Sequence, residues 1–103
     1  MKEIKQHELN DYMQGKVVLE FFGAGCINCK MIEPILDGLV PEYPGVTFLK
    51  MDTAKAPEMV REFGITTLPT VVFMRDGVTI DKFIGLKPKA LLQKKIDEVF
   101  EGK

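Results

Sequence analysis

With 103 residues, 46% of them hydrophobic, the chain has material for one domain with a buried core and too little for two. Fourteen basic residues against fifteen acidic ones leave a net charge of −1 without a basic cluster, which argues against a nucleic-acid partner. The first eight residues lack the apolar run of a secretory signal and no later stretch is long enough to span a bilayer, so a cytoplasmic location with no membrane partner is expected.

In chain order, residues 2–5 suit a brief edge strand, and residues 7–14 a short helix with Leu9, Tyr12 and Met13 on one side and Gly15 closing it. His7, alone in a polar helix start, reads as a solvated side chain. Residues 16–22 are almost continuously apolar, the pattern of a central strand covered on both faces. Glu20 interrupts that run. A carboxylate buried there is costly unless it is protonated or paired, so the side chain either escapes to the edge of the core or its cost serves a function.

The stretch from Phe21 to Met31 organises the rest, because an apolar strand ends in a glycine-rich turn and a helix begins at the only two cysteines, Cys26 and Cys29. Two intervening residues put both thiols within one helical turn, at a Cα separation that a disulfide tolerates, so the pair can open and close with little backbone movement. The glycines leave the first sulfur uncovered, and the free N–H groups and dipole of a helix start favour its thiolate. Cys26 is therefore the expected nucleophile and Cys29 the thiol that resolves a mixed disulfide. A zinc site of this spacing needs two further ligands, and His7 is the only other candidate of the Cys or His type. A purely structural disulfide closing so short a loop would be a weak staple. With its raised pKa, a partly buried Glu20 beneath the pair could take the proton of Cys29 as that thiol attacks.

Helical spacing of Met31, Ile32, Ile35, Leu36, Leu39 and Val40 extends this helix, with Pro34 inside it, to the Pro41–Gly45 cluster. Residues 46–51 read as a second buried strand whose one charge, Lys50, pairs with Glu20 if it points inward. Residues 52–55 follow as a loop, and Pro57 suits the first turn of a helix through Phe63, closed by Gly64. Pro69 precedes the run 71–74 as a strand-opening residue or a cis turn, and Asp76-Gly77 between two strand-like runs signals a hairpin. Gly85 and Pro88 precede a last amphipathic helix with Leu91, Leu92, Ile96, Val99 and Phe100 on its apolar side. This order predicts an α/β fold: a mixed sheet, parallel in the centre and antiparallel at one edge, with helices on both faces and the cysteines at the carboxyl end of a central strand.

Across nearly its whole length the sequence resembles the thioredoxin family. The features in register are the strand before the pair, the Cys26-Ile27-Asn28-Cys29-Lys30-Met31-Ile32-Glu33-Pro34 segment, Leu68-Pro69-Thr70, Gly77 in the hairpin and Gly85 before the last helix. The resemblance implies a thioredoxin-like fold with a central mixed sheet of four to five strands, Cys26 as attacking thiol, Cys29 as resolving thiol, and a cis bond before Pro69. It also places Glu20 and Lys50 where typical members carry a buried aspartate and its lysine neighbour. Gly25, Ile27, Asn28, Thr67, Leu68, Pro69 and Gly85 become the expected lining of the substrate groove. Typical members have tryptophan before the first cysteine and Gly-Pro between the two; here Gly25 and Ile27-Asn28 stand there, and the chain has no tryptophan. Absence of the indole predicts a more open groove, and absence of a histidine between the cysteines predicts a reductant rather than an oxidant. The expected activity is reduction of protein disulfides by a monomer with no bound cofactor or metal, recharged by a separate flavoprotein reductase that draws on NADPH. A dedicated electron carrier for one enzyme and a non-catalytic peptide-binding module using the same groove are the alternatives.

Overall fold

The computed structural model describes residues 1–102. The chain runs through β1 (Lys2–Glu3), a 3-10 helix (Gln6–Tyr12), β2 (Lys16–Phe22), α1 (Ile27–Leu39), β3 (Val46–Asp52), α2 (Pro57–Glu62), β4 (Thr70–Arg75), β5 (Val78–Ile84) and α3 (Lys89–Phe100). The strands form one five-stranded sheet in the order β1-β3-β2-β4-β5. β3 runs parallel to both β1 and β2, while β4 is antiparallel to β2 and β5 to β4. The mixed sheet expected from the sequence is thus present, with β2, buried from Val17 to Phe21, in the middle.

Alternation along β2 splits the core into two layers. Val18 points to the side covered by α1 and α3, where it joins Ile32, Leu36, Leu39, Leu92, Ile96 and Phe100. Val17, Leu19 and Phe21 point to the other side and pack with Leu9 of the 3-10 helix, with Met51 and Val72, and with the partly buried Met59 of α2 and Phe63 just beyond it. Both faces being covered accounts for the scarcity of polar residues in β2, since each fully buried Val, Leu or Phe contributes about 1.5–3 kcal/mol.

The hairpin turn has Asp76 at φ +51° and Gly77 at φ +81°, the left-handed pair that a two-residue turn of matching twist demands. Asp76 also ties this turn to the start of β2: its N–H donates to the Gly15 carbonyl at 2.9 Å, and the Gly15 N–H donates to its Oδ1 at 2.8 Å. Gly15, expected to close the helix at residues 7–14, instead lies beyond it at φ +78°, in the turn that leads into β2. That segment is a 3-10 helix in which only Leu9 is buried, and the three-residue spacing of Leu9 and Tyr12 fits its tighter winding. The loop expected after β3 contains a 3-10 turn, Thr53–Lys55, capped by the Asp52 carboxylate, which accepts the Ala54 N–H at 3.0 Å.

Candidate active site

The chain leaves β2 through Gly23, and the Cys26 N–H donates back to the Gly23 carbonyl at 3.2 Å. Cys26 is the N-cap of α1, with extended backbone (φ −86°, ψ 106°), and its Sγ accepts the Cys29 N–H at 3.1 Å. A sulfur in that position meets the partial positive charge of the helix start, which favours thiolate. The two cysteines are joined as a disulfide with Cα atoms 5.3 Å apart. Their surroundings differ: Cys26 is half-buried, whereas Cys29 is only 1% exposed. A side chain at Gly25 would meet nothing within 4 Å among the described residues, so the approach to Cys26 is open from that side.

The segment before β4 packs on the turn that leads to the cysteines. The Leu68–Pro69 peptide bond is cis, and Pro69 is buried. Its carbonyl accepts the Gly85 N–H at 2.8 Å, from a glycine at φ +90° where β5 has just ended, and the Thr70 hydroxyl donates to the Thr67 carbonyl at 2.6 Å. These bonds fix Thr67, Pro69 and Gly85 to one another and leave Thr67 exposed. Contact with the cysteine loop runs through Gly23, where a Cβ would come within 2.9 Å of Leu68 Cδ1, so only glycine lets Leu68 pack there undisturbed. Beside the pair, Ile27 is 75% exposed and Met31, one turn on, 52%. Asn28 is exposed with them.

Glu20 lies on the α1 face of β2, two residues after Val18. It is fully buried, and among the described residues neither carboxylate oxygen has a hydrogen-bond partner. Burial, reinforced by the nearby Glu33 charge and opposed by Lys50, pushes its carboxyl up to about 8. Lys50 is its partner in the parallel register of β2 and β3, but the pairing expected between the two is not the one formed. The Lys50 ammonium donates to Glu33 Oε1 at 2.8 Å and sits 5.3 Å from the centre of the Phe22 ring. Glu33 on α1 is only partly buried, and an ammonium reaching it keeps part of its hydration, whereas turning under the helix toward Glu20 would cost all of it. Sequence reasoning missed Glu33 as a participant. Its position four residues after Cys29, hence on the same side of the helix, was the available signal.

His7 is exposed. Among the described residues no group of three or more His, Cys, Asp or Glu side chains is arranged to hold a metal ion, and no helix is long and apolar enough to cross a membrane.

A cysteine pair that opens a helix just after a sheet's central strand, with a cis-proline loop packed on the turn before it and a buried carboxyl group on that strand, defines a protein built for dithiol–disulfide exchange. The Thioredoxin family model matches residues 2–98. The chain is 38% identical over 84 residues to the thioredoxin of Chlamydia muridarum, covering 82% of each chain. It is 41% identical over 76 residues to thioredoxin-3, mitochondrial, of Saccharomyces cerevisiae, covering 74% of this chain and 60% of that one. A solved structure, described as the structural basis of the thiol resolving mechanism in yeast mitochondrial 1-Cys peroxiredoxin via glutathione/thioredoxin systems, matches with a TM-score of 0.87 at 30% identity, over 96% of this chain and 95% of that one. The chain belongs to the thioredoxin family, and it is a thiol-disulfide oxidoreductase working through the Cys26–Cys29 disulfide. Membership implies disulfide-bearing protein substrates and a reductase partner.

Proposed function

We propose that the protein works as a reductant of protein disulfides, with Cys26 as nucleophile, Cys29 as resolving thiol and Glu20 as the group that takes the resolving proton. The carrying observation is the asymmetry of the pair: Cys26 is accessible and capped onto the helix start, whereas Cys29 is buried. In the first step the Cys26 thiolate attacks one sulfur of the substrate disulfide, forming a mixed disulfide and expelling the other substrate sulfur as a thiolate, which takes a proton from solvent. In the second step Cys29 loses its proton to the Glu20 carboxylate and attacks the Cys26 sulfur. The remaining substrate thiolate leaves, and two electrons have passed from the protein to the substrate.

Thr67, Leu68, Pro69 and Gly85 form one wall for an extended substrate segment, with Gly25, Ile27 and Asn28 on the other. Lys50 acts beside Glu20 through its charge. The return to the dithiol is made by a flavoprotein reductase drawing on NADPH, and the protein acts as a cytoplasmic single-domain monomer without a bound cofactor. A dedicated carrier for one enzyme is the second reading. It is favoured by the exposed Ile27 and Met31, an apolar shelf in contact distance of whatever approaches Cys26.

The test is the equilibrium between dithiol and disulfide across glutathione and dithiothreitol buffers, read by thiol alkylation and mass. A potential on the order of −270 mV is expected for a reductant. A markedly less negative value would make the protein an oxidant or isomerase, and a pair that never bridges reversibly would end the catalytic reading. Fast exchange with one cellular partner beside slow reduction of generic disulfides would favour the dedicated carrier.

A further inference from the structure

Among the described residues Lys50 is the one cation placed against Glu20, and it is committed elsewhere. The two residues are register partners on adjacent strands, yet the ammonium is bonded to Glu33 Oε1 at 2.8 Å, on the helix that also carries Cys29 one turn earlier. We propose that Glu33 is a positioning residue for the resolving step: by anchoring the Lys50 ammonium at the rim of the core it denies Glu20 a direct counter-ion, and so sets the pH at which Glu20 exchanges its proton with Cys29. The proposal rests on the reading of Glu20 as proton acceptor and names the residue that governs it.

The charged groups around Glu20 are few. From α1 come Glu33 and Asp37, and from β3 comes Lys50. Asp37 is held by the N-terminal amine of Met1, which leaves Glu33 and Lys50 as the pair with freedom to rearrange. On the β4 side the register partner of Glu20 is Val71, and α3 contributes the apolar Leu92 and Ile96 to this layer, so neither offers a charge. Glu3, the β1 partner of Lys50 in register, lies beyond it at the exposed edge. The Lys50–Glu33 pair is only partly exposed, its side chains 25% and 20% accessible. Its consequence is electrostatic: it puts a carboxylate close to Glu20 and a lysine just short of it, and both the repulsion and the withheld attraction favour the protonated acid. This matters for catalysis because the acceptor must be ionised when Cys29 gives up its proton, and the ionised fraction at a given pH follows directly from this arrangement.

The experiment follows the Glu20 side-chain carboxyl by carbon-13 NMR across pH in the full-length disulfide form, for the native protein, Glu33→Gln, Lys50→Met and the double variant. Glu33→Gln is isosteric and only partly buried, so the fold survives it. The expected result is a fall of the Glu20 midpoint by about one pH unit or more in Glu33→Gln, with a clearly smaller fall when the same change is made in the Lys50→Met background. An unchanged midpoint would overturn the proposal, and so would an equal fall in both backgrounds, since Glu33 would then not act through Lys50. Resolution of a preformed mixed disulfide on Cys26, followed by stopped flow, should shift its pH profile in parallel in Glu33→Gln, and a profile that stays put while the midpoint moves overturns the role in the resolving step. A Glu20→Gln variant that resolves at the native rate would instead remove the underlying reading of Glu20, and the NMR midpoints separate that failure from failure of the Glu33–Lys50 coupling.

Discussion

Replacing Glu20 by leucine should stabilise the protein, and by an amount that depends on pH. The carboxyl moves from its ordinary 4.5 to about 8 on folding, chiefly because burial disfavours its charge. Below about pH 4.5 the acid is protonated in both folded and unfolded chains and contributes no pH dependence. Between 4.5 and about 8 the folded chain holds a proton that the unfolded chain has released, so stability falls by ~1.4 kcal/mol per pH unit, and above about 8 the loss is complete. The whole interval amounts to roughly 5 kcal/mol, a third or more of the stability of an ordinary domain. Urea unfolding of the disulfide form at pH 5, 6, 7, 8 and 9, for native protein and Glu20→Leu, isolates it, because every other titrating group is common to both. The difference in unfolding free energy should be small at pH 5, climb through neutrality and level off near pH 9. A difference that stays constant from pH 5 to 8 would refute the assignment of Glu20 as a buried acid.

Cys29→Ser should accumulate a mixed disulfide between Cys26 and a protein substrate, visible as an added mass that dithiothreitol removes, whereas Cys26→Ser should trap nothing. Asp76→Ala loses both the carboxylate that accepts the Gly15 N–H and tolerance of a positive φ, and should cost about 1–2 kcal/mol in urea unfolding. Asp76→Asn should recover most of it, since asparagine suits the same backbone. Gly23→Ala forces Leu68 to move and should slow exchange with protein disulfides more than with small aromatic disulfides, measured as the ratio of the two kcat/KM values. Ile27→Asp should leave stability within about 0.5 kcal/mol, because the side chain is exposed, while raising KM for protein substrates.

Which parts of this architecture a single sequence discloses depends on how local their causes are. β2 and α1 were legible because one is an almost continuous apolar run and the other repeats its apolar positions every three or four residues, and both patterns carry their own geometry. The hairpin was legible because Asp76-Gly77 demands a left-handed turn wherever it stands between strands. The 3-10 winding of residues 6–12 was less so, since a stretch that buries only Leu9 has no extended apolar face to fix its pitch. Lys50 shows the limit most clearly. Its strand and register partner follow from the pattern, but its bond to Glu33 depends on where a helix crosses a sheet, which no local pattern records. The Gly23–Leu68 contact, which joins the cysteine loop to the proline loop across 45 positions of chain, is hidden for the same reason.

The centre of the sheet is an expensive place for a carboxylic acid, and the topology makes escape impossible: β2 is flanked by strands on both edges and covered by α1 above Glu20. A leucine of similar volume would pack there at no electrostatic cost, so the acid stands there against stability. On the reading of Glu20 as proton acceptor, its position gives that cost a use. Cys29, the buried half of the disulfide, needs a proton acceptor that water cannot easily provide, and Glu20 lies on the strand face that its helix covers. A substitution that stabilises the fold at neutral pH should therefore also impair turnover: Glu20→Leu should slow resolution of the mixed disulfide by roughly 10²-fold at neutral pH, the lower end of what general base catalysis contributes. Stopped-flow release of a fluorescent substrate thiol from the Cys26 adduct measures that rate directly. A variant both more stable and equally fast would mean that Cys29 reaches solvent base unaided, and the buried acid would then have no chemical reason to be there.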